Sequence, residues 1–138
     1  MAILNRCKWA NPKNPLYLAY HDCEWGKPCH DDKLLYELLI LESFQAGLSW
    51  ECVLNKREAF RQAYDDFDVV KVAEYGEEKQ AELLANTGIV RNKLKVKASI
   101  NNSRIFLQIQ KEFDSFDNYI WGYTEGKVLH IEYTRETT

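Results

Sequence analysis

Asp31-Asp32-Lys33-Leu34-Leu35-Tyr36-Glu37-Leu38-Leu39-Ile40-Leu41-Glu42-Ser43-Phe44-Gln45-Ala46-Gly47-Leu48-Ser49-Trp50 is the stretch that decides the fold. Asp31 or Asp32 can accept from the free amides of a first helical turn. The run Leu34, Leu35, Leu38, Leu39, Ile40, Leu41, Phe44, Ala46 and Leu48 is apolar on nearly every side of a helix. That predicts a central, buried helix ended by Gly47. Ser49 can cap the next helix, over about 50–63, with Val53, Leu54, Phe60 and Tyr64 turned inward.

Working outward, a short helix is predicted near 68–75, ended by Gly76. Another, over about 77–86, carries Ala81, Leu84 and Ala85 at helical spacing. Thr87-Gly88-Ile89-Val90-Arg91 reads as a tight turn with glycine at a C-cap. A long helix follows over about 91–111, with Leu94, Ala98, Ile105 and Ile109 on one face, and a shorter one lies within 114–123. Upstream, residues 1–30 hold all three prolines and show no period beyond a short helix near 15–20. From Thr124 onward no pattern is strong. Strand alternation and internal repeats are not found. The expected fold is all-α, a helical bundle of five or six helices in a single domain over 1–138, with a helix–turn–helix at 77–111.

The 138 residues are 46% apolar and 28% charged, ordinary for a globular chain, and the net charge of −3 points to neither nucleic acid nor membrane. No apolar run reaches the roughly 18–20 residues of a membrane span, and the N-terminus lacks a secretory pattern, so no membrane role is expected and the compartment expected is cytoplasmic. Charge is nonetheless segregated. Of the 18 basic residues, six (Arg91, Lys93, Lys95, Lys97, Arg104, Lys111) fall within 91–111, where there is no acid, leaving 12 against 21 acids elsewhere. A turn that offers backbone amides at a helix N-terminus beside such cations suits a phosphate. Gly88, Val90, Arg91, Lys93 and Lys97 are therefore candidate DNA contacts; the competing reading is a solvated basic face.

Seven aromatics lie in the first fifty residues, and six of them are Tyr or Trp. Polar-tipped rings in such excess lean toward a site that stacks flat ligands, although core packing explains any single ring. Glu42 follows Leu35 and Leu39 at helical spacing and so projects from an apolar face. Three placements stay open: the floor of a pocket, an ion pair with an arginine, or a helix end turned to water. Cys7 and His21 are a possible zinc pair, with Cys23, Cys29 and His30 nearby, but no C-x-x-C spacing is present, and a free thiol with a hydrogen-bonded imidazole is the alternative.

Taken together, Arg6-Cys7-x-Trp9, Pro15-Leu16-Tyr17-x-Ala19-Tyr20-His21-Asp22-x-Glu24-Trp25-Gly26, Leu41-Glu42-x-x-Gln45-Ala46-Gly47-Leu48-Ser49-Trp50 and Thr87-Gly88-Ile89-Val90-Arg91-x-Lys93 resemble the 3-methyladenine DNA glycosylase I family, in order, from about Arg6 to Trp121. The resemblance implies an enzyme that flips an alkylated adenine out of duplex DNA and cleaves its N-glycosidic bond, with the 77–111 segment as a helix–hairpin–helix. It implies that Glu42, the candidate catalytic residue, hydrogen-bonds the methylated base. By the same resemblance Tyr20 and Trp50 contact and stack on that base, and Trp9, Tyr17 and Trp25 line the same region. Free 3-methyladenine and alkylated duplex DNA are the implied partners.

The resemblance also implies that Cys7 and His21 are two of four ligands of a structural zinc. The family's C-terminal segment supplies the others, a His and a Cys. Here His130 is the only His after His30 and no Cys follows Cys52. The expectation is a family member incomplete at its C-terminus, with half a zinc site and zinc weak or absent. A non-catalytic remnant that binds DNA or the methylated base is the alternative function, and a binder of small aromatic cations with no DNA role is a third.

Overall fold

Capping residues set where the helices of this chain begin. The computed structural model describes residues 6–130, which form α1 (Pro15–Cys23), α2 (Asp32–Phe44), α3 (Trp50–Asn55), α4 (Arg57–Ala63), α5 (Val69–Ala73), α6 (Glu77–Ala85), α7 (Lys93–Phe113) and α8 (Phe116–Gly122). The Asp31 carboxylate accepts from the Lys33 amide at the start of α2, and the Ser49 hydroxyl accepts from the Cys52 amide at the start of α3. Asn14, Asp68, Asn92 and Ser115 do the same for α1, α5, α7 and α8. Gly47, at φ +79°, ends the turn after α2 in a conformation that costs other residues more.

The architecture is all-helical, as expected, but the described residues hold eight α-helices rather than five or six. The stretch expected as one helix over 50–63 breaks at Lys56, whose φ/ψ of −97°/2° separates α3 from α4. Between α4 and α5 the chain makes a 3-10 turn, Asp65–Phe67, with three consecutive positive φ values of 51°, 53° and 54°. Non-glycine residues adopt that region only when their surroundings hold them there. Phe67 is locked in the core, and the Tyr75 hydroxyl donates to the Asp65 carboxylate. No helix among the described residues is long and apolar enough to cross a membrane. The irregular segment expected from Thr124 is seen as far as residue 130; residues 131–138 lie outside the described range.

The core gathers Tyr36, Ile40, Leu41 and Phe44 of α2 with Val53, Phe60, Tyr64, Phe67, Val72, Leu83 and Ile89, and α7 and α8 add Val96, Ile100, Phe106 and Phe116. Helix α2 is central but not buried all round. Leu39 and Glu42 lie on an exposed edge, and the acid that turns inward is Glu37. The expected faces of two other helices also shift. On α6 the buried residue is Leu83, while Ala81 and Ala85 are exposed. On α7 the expected stripe is largely outside: Leu94 is 78% exposed, and Ala98 and Ile105 are also exposed, with Ile109 partly buried against the core.

The true inner face of α7 is Val96, Ser99, Ile100, Ser103 and Phe106. Its two serines solve their burial twice over. Each hydroxyl donates back to its own helix, Ser99 to the Val96 carbonyl and Ser103 to the Ser99 carbonyl. Each then accepts from a buried tyrosine, Tyr64 at 2.9 Å and Tyr36 at 2.5 Å. Burial pushes the Tyr64 phenol up to about 12, even though its bond to Ser99 lowers it, so these hydroxyls stay protonated at neutral pH.

Helix α1 buries no residue fully, and its flanking residues tie it to the rest of the chain by polar contacts. Asn11 donates to Glu51, Asn14 to Asn55, and Arg57 makes two bonds to Glu24, at 2.7 and 3.0 Å. Arg57 also bonds Glu37, which Arg61 bonds from the other side. Side-chain exposure is only 12% for Arg57 and 10% for Glu37. Burial raises the Glu37 carboxyl, but the bonds from Arg61 and then Arg57 outweigh it and hold the group below its ordinary value. A depressed carboxyl contributes stability above its unfolded pKa and loses it as pH falls through the folded value. Removing one arginine leaves Glu37 with only half its compensation. Arg57→Met is therefore expected to cost about 3 kcal/mol at pH 7, and less at pH 3, toward the range in which the depressed Glu37 carboxyl is protonated. Urea unfolding of both proteins at the two pH values checks this; equal midpoints at pH 7 refute it.

Candidate functional site

Five rings expected to line a site are brought together around α1 and the start of α3. Trp9 lies 5.2 Å from Tyr17, 6.4 Å from Tyr20 and 5.3 Å from Trp25 between ring centroids, and Tyr20 lies 5.4 Å from Trp50. His21 joins the set, stacked on Trp25 at 5.8 Å and edge-on to Trp9 at 5.2 Å. The wall is open to solvent on one side, with Trp9 39% and Trp25 49% exposed. Large, partly exposed aromatic surface of this kind is more than packing requires.

The Trp50 indole N–H is buried and has no acceptor among the described residues, a local cost of about 1–3 kcal/mol. Glu42 sits in the last turn of α2, exposed. Of its three possible placements the structure shows the helix end turned outward, not a buried pocket floor. Its carboxylate makes no ion pair or hydrogen bond with a described residue, yet it acts on the ring wall. Burial first, and then the Glu42 charge, push the Tyr20 phenol upward. A free carboxylate beside π faces suits a flat cation.

The Cys7 and His21 pair is adjacent. The Cys7 backbone N–H donates to His21 Nε2 at 3.2 Å, and His21 Nδ1 lies 3.0 Å from Asp22 Oδ1. Because Nε2 accepts, Nδ1 carries the proton toward Asp22. The Arg6 guanidinium and then His21 hold the Asp22 carboxyl at about 2. Among the described residues no group of three or more His, Cys, Asp or Glu side chains could hold a metal ion. Cys7 and His21 supply two positions of the four that a closed zinc site needs.

The helix–turn–helix forms as α6, a turn over 86–92, and α7. Gly88 is not a left-handed cap; Asn86 ends α6 in an extended conformation. Glycine is needed at 88 for approach, since a Cβ there would sit 3.0 Å from the Ala59 Cβ on α4. The amides expected to be free at this turn are partly taken. Asn86 Oδ1 accepts from Gly88, and Asn92 Oδ1 accepts from Leu94 and Lys95. Val90 is half-buried, and Arg91, Lys93 and Lys97 are exposed with no ion pair to a described residue.

Two of the six cations are used inside the fold. Lys95 Nζ donates to the carbonyls of Phe44 and Ala46, and Arg104 Nε donates to Ala73. The reading of the basic run missed this, as the reading of the acids missed Glu37 with its two arginines. The signal available for the latter was the i,i+4 spacing of Arg57 and Arg61, which puts both on one face of α4.

The bundle presents an exposed carboxylate and a cluster of tilted and edge-on rings with a basic helix–turn–helix. Comparison with known proteins gives this fold a family. The family model for methyladenine glycosylase matches residues 9–138, and the chain belongs to that family. It is 44% identical over 120 residues to DNA-3-methyladenine glycosylase 1 of Escherichia coli (strain K12), covering 87% of this chain and 64% of that protein. It is 38% identical over 124 residues to the DNA-3-methyladenine glycosylase of Haemophilus influenzae, covering 90% and 66%. A crystal structure of a tyrosine-to-phenylalanine variant of 3-methyladenine DNA glycosylase I, in complex with 3-methyladenine, superposes with a TM-score of 0.88 at 38% identity, covering 94% and 69%. The chain thus spans just under two thirds of the curated relatives it matches.

Proposed function

We propose that this chain excises 3-methyladenine from alkylated DNA, with the ring wall and Glu42 reading the base and the turn and first helical turn at 86–97 gripping the duplex as a helix–hairpin–helix. One observation carries the reading: Trp50, ring-paired with Tyr20, opens α3 directly after the turn that follows Glu42, and the basic segment is bonded to that same turn through Lys95. Methylation at N3 makes adenine a cation and weakens its bond to the sugar. In hydrolysis that bond breaks toward the base, which leaves neutral with the electron pair, while water adds its oxygen to the sugar carbon and releases a proton to solvent. A good leaving group lessens what the protein must add, so selective binding of the flipped cation does much of the work. Tyr20 and Trp50 offer π faces, and Glu42 offers a charge-assisted hydrogen bond and a counter-ion. The four free thiols fit a reducing cytoplasm.

The openness of the wall favours a second reading, a non-catalytic binder of DNA or of the methylated base, because a hydrolase site gains from excluding bulk water. Release of 3-methyladenine from alkylated DNA separates the two.

Three results are expected. Lys93→Glu combined with Lys97→Glu weakens duplex binding and flattens its salt dependence, since each phosphate contact releases counter-ions; an unchanged slope removes these residues from the interface. We infer that these 138 residues hold zinc weakly or not at all, with Cys7 and His21 as the two ligands available. Elemental analysis of purified protein showing one tightly held zinc per chain contradicts that. Glu42→Gln keeps the shape but loses the charge and gains a donor. It should weaken binding of free 3-methyladenine by about 1.5–3 kcal/mol, read by calorimetric titration, with duplex affinity little changed. Equal base affinities would falsify the role of Glu42.

A further inference from the structure

The run Lys93-Leu94-Lys95-Val96-Lys97 opens α7 with three lysines at alternate positions. On a helix, residues four apart share a face and the residue midway between them points the other way. Lys93 and Lys97 accordingly stand exposed on one side, and Lys95 is half-buried on the other. Its ammonium reaches the turn after α2, donating to the Phe44 carbonyl at 2.9 Å and the Ala46 carbonyl at 2.5 Å. The last carbonyls of a helix lack intrahelical partners and carry partial negative charge, so a cation there is favourable on both counts.

The rest of that turn is held from within. Gln45 Nε2 donates to the Leu48 carbonyl, the Leu48 amide donates to Gln45, and Ser49 caps α3. Among the described residues, Lys95 makes the only hydrogen bonds that the segment 44–49 receives from a distant element. Glu42 lies at one end of the segment and Trp50 at the other.

We propose that Lys95 is a positioning residue rather than a phosphate ligand: it fixes the turn that joins the end of α2, which carries Glu42, to Trp50 at the start of α3, and so couples seating of the duplex on the α6–α7 hairpin to the geometry of base recognition. A small shift of α7's first turn under the pull of phosphates on Lys93 and Lys97 is transmitted through the two Lys95 bonds to the carbonyls between Glu42 and Trp50. The functional half of this proposal rests on the glycosylase reading; the bonds themselves do not.

The test compares Lys95→Met, which keeps the apolar stem and removes the charge and donors, with the Lys93→Glu, Lys97→Glu pair. In Lys95→Met, amide hydrogen exchange over 45–50 should accelerate about tenfold or more, while amides in the middle of α7 keep their protection. Duplex affinity and its salt slope should stay within about twofold, because no phosphate contact is lost. Affinity for free 3-methyladenine should fall about tenfold, and excision should lose kcat with KM for DNA unchanged. Lys95→Arg, which keeps charge and donors, should recover protection and base affinity. Should Lys95→Met fail to fold, Lys95→Gln, with a neutral donor, is read by the same exchange and salt-slope measurements.

Unaltered exchange over 45–50 overturns the proposal. So does a Lys95→Met protein whose salt slope flattens like that of the Lys93, Lys97 pair, which makes Lys95 a phosphate ligand. If the unaltered protein neither binds nor releases 3-methyladenine, the glycosylase reading fails by itself, and the exchange data still decide whether Lys95 holds the turn.

Discussion

The buried hydroxyl pairs between α7 and its neighbours organise this molecule. Serine in place of a larger side chain lets α7 come close to the core, and a tyrosine reaches each serine from across it. Tyr36 belongs to α2 and Tyr64 follows α4, so two hydrogen bonds fix α7 against two separate parts of the chain. Because each serine hydroxyl already donates to its own backbone, only its lone pairs remain, and the tyrosine must be the donor in each pair. With α7 so placed, α8 docks by its Phe116 on Phe106 at 4.5 Å, and the Asp32 carboxylate takes the amides of Phe116 and Asp117.

These pairs also explain where the sequence is legible and where it is not. Caps depend on residues two or three apart, and Asp31 and Ser49 could be read directly. The convergence of Trp9, Tyr17, Tyr20, Trp25 and Trp50 followed from motifs that travel together. The inner face of α7 did not follow, because hydrophobic periodicity gives no weight to serine. It favoured Leu94 and Ile105, which are outside, over Ser99 and Ser103, which are fully buried. Glu37 and Glu42 show the same limit. Both interrupt an apolar helix, and only the distant arginines of α4 decide which of them goes inward. Lys95 and Arg104 were read as part of a basic surface for the corresponding reason: their acceptors are backbone carbonyls about fifty and thirty residues away, which no local pattern announces.

The site is attached to this frame unevenly. Trp50 packs against the core and Glu42 grows from the end of α2, so both inherit the rigidity of the bundle. Tyr17, Tyr20 and Trp25 ride on α1 and the loop after it, which buries nothing fully and is moored by Arg57 and two asparagines. One half of the ring wall is thus rooted in the core, while the other meets it at Tyr20 on Trp50 and is held by ion pairs and hydrogen bonds. The helix–turn–helix adds a third constraint, since the missing Cβ of Gly88 sets how near the 86–92 turn lies to α4.

The aromatic wall has an optical consequence. Three of the chain's four tryptophans, Trp9, Trp25 and Trp50, stand within it, linked through Tyr20, and the fourth, Trp121, stacks on His30 at 4.5 Å at the other end of the 26–30 loop. Excitation absorbed anywhere in the set has a neighbouring ring within about 6 Å to pass to. Three of the four indoles therefore stand where a flat ligand would lie, and the molecule carries its own reporter there with no dye or label added.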